Sequence, residues 1–371
     1  MKISSGARIA GAVAAAIATA AIGGIFCGAA GAGVTHGQKP IPLIKKLKSE
    51  HMKIAWERYP NDNWEIFVMR ADGTHPVNLT HSQKLNEHYP QISPDGKRIA
   101  YSVDVGEGQA AVRSLWIMNI DGTSRYKIAD HAREPFWSPD GKTIGYLPQE
   151  FPNKFNVMDY YTRGMAFYHL DTHKTTPFIH SSVVWHLYNA GFSPNGKWVV
   201  ATVHAGMALG HAILLIEMHG NRILNLQIPG CRPRISPDGK QIAWGATDNE
   251  LCIAPLDTNA PTPKVGPVRL HIVDRKNKIY HINWSPDCRY VAFSRGPDGE
   301  GDLTKRGSFQ AACEIVGVYA KGWNICVVSA ERSGMIDLQQ AGPADFAQLT
   351  ADGASNKQPA WFKPGRLARH R

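Results

Sequence analysis

The sequence predicts an all-β chain wound into a six-bladed β-propeller, closed by pairing of its N- and C-terminal strands. Three observations predict it. The phrase Ser-Pro-Asp/Asn-Gly, or a near copy, recurs every 40 to 55 residues. A β-rich apolar run follows each copy. The array also begins with half a unit and ends with the complementary half. Repetition at such a period marks an array of one small structural unit.

The phrase stands at Ser93-Pro94-Asp95-Gly96, Ser138-Pro139-Asp140-Gly141, Ser193-Pro194-Asn195-Gly196, Ser236-Pro237-Asp238-Gly239 and Ser285-Pro286-Asp287-Cys288. A worn copy is Phe362-Lys363-Pro364-Gly365. Pro fixes φ at the second turn position, Asp or Asn bonds its own backbone, and Gly accepts positive φ. An apolar residue usually precedes the Ser: Ile92, Trp137, Phe192, Ile235, Trp284 and Trp361. Runs such as Arg98 to Tyr101, Trp198 to Ala201 and Tyr290 to Phe293 follow it. Each phrase therefore reads as a tight turn in a hairpin.

A third strand follows in each unit, clearest at Glu65 to Gly73 and Leu115 to Gly122, weaker at Met165 to Asp171, Ala212 to Gly220, Leu251 to Asp257 and Asn324 to Ser329. A short fourth run comes next, as at Val77 to Thr80, Tyr126 to Ala129 and Phe346 to Thr350. Four antiparallel strands describe a propeller blade. Tryptophans 56, 116, 137, 244, 284 and 361 fall at repeated strand positions and read as blade-packing core.

Lys53 to Glu57 looks like a second strand lacking its first, and Gln358 to Trp361 like a first strand lacking its second. Together they complete one blade and leave no open sheet edge. Complete sets number six. The 77-residue interval from Ser285 to Phe362 leaves room for a degenerate seventh.

The chain divides into a signal peptide (1–32), an N-terminal extension (33–51), the propeller (52–365) and a basic tail (366–371). Lys2 and Arg8 form a basic n-region, Ile9 to Phe26 an apolar core, and Ala30-Gly31-Ala32 a cleavage site. That pattern marks export, to a periplasm or an equivalent compartment, with no stable membrane span after processing. A retained anchor helix is the alternative, since the apolar run is nearly long enough to span. The net charge of +10 comes without any recognition motif for nucleic acid. Scattered basic residues read as a solvated surface, or as a face for an acidic partner.

Cys231, Cys252, Cys288, Cys313 and Cys326 follow the predicted cleavage site. An odd count in an oxidising compartment leaves at least one thiol unpaired. Cys313 and Cys326 flank a loop in the last unit and are the candidate disulfide; the connectivity stays open.

The chemical motifs are mostly missing. No Cys-x-x-Cys-His attaches a c-type haem covalently. No Gly-x-Ser-x-Gly forms a nucleophile elbow, and no P-loop, dinucleotide fingerprint or His-Glu-x-x-His occurs. Sixteen histidines are present, with a mid-chain group at His169, His173, His180, His186, His204, His211 and His219. They lack ligand spacing and read first as turn and surface imidazoles, second as a metal site. Asp298, Glu300 and Asp302 alternate in a Gly-rich loop and are a candidate calcium site, the alternative being an exposed turn. Phe151, Phe155, Tyr160 and Tyr161 enrich an insertion, from Gln149 to Tyr161, with aromatic interface anchors; blade packing is the alternative.

Over about residues 52 to 365 the repeats resemble the TolB-like propeller family, a relative of the WD-type repeat. That resemblance implies the fold and leaves function open, since propellers host many activities. In size, leader, repeats and missing haem motifs the chain is also similar to the haem-free propeller (beta) subunits of hydrazine synthase, the complex of anaerobic ammonium oxidation. The likeness implies an exported, non-catalytic scaffold in the anammoxosome, with haem only on c-type cytochrome partners. Two other functions are open: a TolB-like envelope component binding envelope proteins, and a propeller enzyme, a lyase or metal-dependent hydrolase, working in the channel.

Overall fold

A repeated hydrogen-bond circuit turns the short phrase into a blade hairpin. In the first copy the Ser93 hydroxyl donates to Asp95 Oδ1 at 2.6 Å and accepts the Arg98 N–H at 2.9 Å. Asp95 also receives the Lys97 N–H, and the Gly96 N–H returns to Ser93 O. The same serine circuit closes the turns at Ser138, Ser193, Ser236 and Ser285. Gly96 has φ +69, and a Cβ there would lie 2.2 Å from Lys363 O. The fifth copy holds Cys288 at φ 62 in the same place, a conformation that costs a side chain about 1 kcal/mol.

The computed structural model describes residues 41–60, 63–106, 110–154, 160–297 and 321–365. After helix α1 (Leu43–Lys48) come strands β1 (Lys53–Tyr59), β2 (Glu65–Arg70) and β3 (Val77–Asn78). The second blade is β4 (Asn86–Ile92), β5 (Arg98–Val105), β6 (Val112–Asn119) and β7 (Tyr126–Asp130). The third is β8 (Ala132–Trp137), β9 (Thr143–Pro148), β10 (Ala166–His169) and β11 (Lys174–Pro177). The fourth is β12 (Leu187–Phe192), β13 (Trp198–Gly206), β14 (Leu209–Glu217) and β15 (Ile223–Asn225). The fifth holds β16 (Cys231–Ile235), β17 (Gln241–Thr247), β18 (Glu250–Pro255) and β19 (Leu270–Val273). The sixth holds β20 (Lys278–Trp284), β21 (Tyr290–Gly296), β22 (Asn324–Ser329) and β24 (Phe346–Gln348).

Strand β25 (Ser355–Phe362) returns to the start. It pairs antiparallel with β1, Lys53 opposite Phe362, and completes the first blade in the order β25-β1-β2-β3. The predicted six-bladed, strand-closed propeller is therefore what the chain forms. Among the described residues no seventh blade occupies the long last interval. Instead β23 (Gly334–Asp337) leaves the sixth blade and adds, parallel to β19, a fifth strand to its neighbour.

Each junction between adjacent blades has its own apolar core, six in all. Trp56, Trp137, Trp244, Trp284 and Trp361 are buried in them as expected, whereas Trp116 is half-buried. The closing junction has an additional part. Leu43 and Leu47 of α1, four residues apart on one helix face, are fully buried against the cluster that contains Trp361 and Tyr290. Burying a Leu fully is worth roughly 1.5–3 kcal/mol. The stretch expected only as an extension thus wedges the seam where the ring closes. No described helix is long and apolar enough to cross a membrane.

Candidate functional site

The six inner strands, β4, β8, β12, β16, β20 and β25, each carry a register shift against the second strand of their blade. One non-glycine residue sits at positive φ in each: Tyr89, Glu134, Asn189, Arg232, His281 and Gln358, with φ between 49 and 58. A bulge turns a backbone N–H out of its ladder, and buried N–H groups need partners. For four of the six the neighbouring blade supplies a side-chain acceptor. Tyr89 N–H donates to Glu57 Oε2 at 2.8 Å, Arg232 N–H to Thr202 Oγ1 at 3.0 Å and Gln358 N–H to Ser294 Oγ at 3.1 Å. Asn189 N–H donates to Glu134 Oε2.

A charged network surrounds this ring. Arg113 Nε and Nη2 grip Asp104 at 2.6 and 2.7 Å, all buried. His88 lies between Asp104, at 3.6 Å, and Glu57, at 3.8 Å. The Lys357 ammonium sits 4.4 Å from the Trp323 ring centre, and Arg232 lies 3.6 Å over Tyr280, itself stacked on Trp323. Burial pushes the Glu57 carboxyl up to about 7, against the Tyr89 N–H and the charges of Lys357 and Arg113. Burial likewise lifts Glu134 to about 7 and drops His88 to about 3. For Asp104 burial works upward, but the Arg113 charge and hydrogen bonds outweigh it and hold the carboxyl below its usual range. The channel-side charges are therefore mostly engaged with one another, and His88 is neutral near pH 7.

On one face, the Ser-Pro turns surround an axial cavity of about 410 Å³ that all six inner strands line. The opposite face carries the aromatic insertion. There Phe151 and Tyr161 meet edge-on at 5.8 Å, and Tyr160 packs 4.8 Å from Tyr161 and 4.5 Å from His204. His186 Nε2 bonds Glu150 Oε2 at 2.7 Å, and its Nδ1 bonds Ala205 O at 3.0 Å, so the imidazole is a fixed post against Tyr161. His204 and His211 are cross-strand partners whose Nδ1 atoms stand 2.8 Å apart. Burial, and then neighbouring imidazoles, lower both.

Three of the four expected interface aromatics, Phe151, Tyr160 and Tyr161, are thus brought together; Phe155 lies outside the described residues. So do Asp298, Glu300, Asp302 and Cys313. Cys326 is a free, fully buried thiol in β22. The mid-chain histidines divide. His186, His204 and His211 join the aromatic face, His169, His180 and His219 line a groove of about 790 Å³ at the third and fourth blades, and His173 bonds the Tyr168 hydroxyl. Among the described residues no group of three or more His, Cys, Asp or Glu is arranged to hold a metal ion. The axial network was missed. Its signal is a polar residue before a Pro inside an apolar inner strand: His88-Tyr89-Pro90, Arg133-Glu134-Pro135, Cys231-Arg232-Pro233 and Lys357-Gln358-Pro359.

Ring, bulges and turns together define a six-bladed β-propeller. No family model matches the chain. A 91-residue stretch is 35% identical to a Bacillus subtilis (strain 168) protein described as the uncharacterized peptidase YuxL, covering 24% of this chain and 13% of that one. Among solved structures, TolB from Acinetobacter baumannii aligns with a TM-score of 0.54 at 18% identity, over 83% of this chain and 66% of TolB. Hydrazine synthase from Kuenenia stuttgartiensis aligns at 0.52 and 12%, over 85% of this chain and 47% of that chain. A chain of a nidogen/laminin complex aligns at 0.53 and 7%, over 84% and 99%. These likenesses establish the fold. The chain spans less than two thirds of the Bacillus protein and of TolB.

Proposed function

We propose that this chain is an exported, non-catalytic scaffold that docks other protein subunits on the aromatic face of its propeller. One observation carries the reading: Phe151, Tyr160 and Tyr161 stand together on a closed ring, braced by the His186–Glu150 bond, with Phe151 exposed. Aromatic anchors on a rigid support give binding energy at little ordering cost. Export rests on the leader pattern of residues 1–32, and the compartment is a periplasm or its equivalent. In a redox complex such as hydrazine synthase, haem would reside on c-type cytochrome partners and this chain would shape the assembly. In a TolB-like role the partners would be envelope proteins.

Native purification from the source organism tests the reading. The protein should elute far above its 40.8 kDa chain mass, together with partner chains, and a haem absorption spectrum separates the redox complex from the envelope assembly. An isolated monomer that turns over a substrate would reject the scaffold. One feature favours that second reading, an enzyme working at the axis: burial pushes the Glu57 and Glu134 carboxyls up to about 7, where acid–base groups are most useful.

A further inference from the structure

The axial cavity contains a guanidinium whose hydrogen bonds all go to main-chain oxygens. Arg234 lines it. Its hydrogen bonds run from Nη1 to the main-chain oxygens of Asn189 (3.0 Å), Pro233 (3.3 Å) and Ala190 (3.5 Å). Among the described residues it forms no ion pair, and Nε and Nη2 carry no protein hydrogen bond. Two other guanidinium groups of the axial network have a closer companion: Arg113 has Asp104, and Arg232 has the Tyr280 ring. Burial lowers Arg234, and the charges of Glu134 and Tyr89 oppose that only in part. A half-buried guanidinium with spare donors suits a planar anion, because two parallel N–H groups match two carboxylate oxygens.

The walls define the rest of the ligand. Phe136, Trp137, Phe192, Trp284 and Trp361 line the cavity beside Arg234. The indole N–H groups of Trp137 and Trp284 are already given to Gln91 O and Arg234 O, so these rings offer apolar surface rather than donors. A volume of about 410 Å³ lies within the range of small-molecule sites. Asn283 adds a fixed polar group, its Oδ1 accepting the Trp361 backbone N–H at 2.9 Å.

We infer that this cavity binds a small, flat organic carboxylate, its acid group on Arg234 and its apolar body between the aromatic walls. The site is on the face opposite the aromatic insertion and does not depend on the scaffold reading.

Benzoate is the probe, with benzamide as its uncharged counterpart. Calorimetric titration of the full chain should show benzoate binding at least tenfold more tightly than benzamide, and Arg234→Met should abolish that preference. Should Arg234→Met fail to fold, intermolecular NOEs in the unmodified protein decide the matter: benzoate ring protons should contact the Trp137 and Trp284 indoles. Equal affinity for the two probes, no benzoate binding at millimolar concentration, an Arg234→Met protein that keeps the preference, or NOEs to other residues would each overturn the assignment.

Discussion

Trp56 and Asn356 stand 300 positions apart in sequence, yet the indole Nε1 donates to the amide Oδ1 at 2.9 Å inside the closing blade. Asn356 is fully buried and uses its own Nδ2 on Asp352 Oδ1, at 2.8 Å, and on Trp323 O, at 3.3 Å. One amide therefore ties strand β1 to β25 and both to the loop before β22.

Replacing Asn356 by Ala should lower stability by about 1–3 kcal/mol, because it strands a buried indole N–H. Trp56→Phe removes the donor instead and opens some packing. The double variant should fall short of the sum by roughly 1 kcal/mol. Urea unfolding of the four proteins measures this; strict additivity would show that the bond contributes nothing to closure.

Glu134 makes stability depend on pH with a definite sign. In the fold its carboxyl holds a proton up to about 7, whereas an unfolded Glu releases it near 4.3. Between those values the folded state binds more protons, so raising pH costs stability. Relative to Glu134→Gln, the unmodified protein should lose on the order of 1.4 kcal/mol per pH unit from about pH 5 to 7. His88 titrates in both proteins and cancels from the comparison. A pH-independent difference between the two would contradict the assignment.

Cys288 occupies the left-handed position that glycine fills in the four preceding turns. Cys288→Gly should raise stability by about 0.5–1 kcal/mol, the relieved left-handed strain less the extra freedom of the unfolded chain. Conversely, Gly96→Ala should destabilise by more than about 1 kcal/mol, since its Cβ would strike the Lys363 carbonyl. Thermal midpoints of both variants check the pair.

Tyr160→Ala and Phe151→Ala should each cut recovery of co-purifying partners at least tenfold, with the thermal midpoint unchanged within a few degrees. Truncating aromatic anchors has effects of that size at interfaces. Undiminished recovery from both variants would move docking to another face.

The ring was legible because its turns are local. Ser, Pro, Asp and Gly write their geometry within five residues, and the paired ends at Lys53 and Trp361 announce closure. The serine hydroxyl at the centre of each turn was not read, since its partner is a backbone N–H five residues on. The α1 wedge escaped because two leucines on a six-residue helix give almost no periodic signal. Likewise no local signal marks β23, its partner strand β19 being fixed only by tertiary contact. At the candidate sites, aromatic composition located Phe151, Tyr160 and Tyr161. The axis was opaque for the opposite reason: Tyr89, Glu134 and Arg234 come from three blades and meet only when the ring is complete.

Because β25 is made after every other described strand, the first blade must wait for it. Until that strand arrives, a nascent chain presents β1 as a bare edge, with Trp361 missing from the cluster that holds the α1 leucines. Acquisition of the finished disc is thus a terminal event: five blades can assemble as the chain emerges, but the circle is locked in one late step.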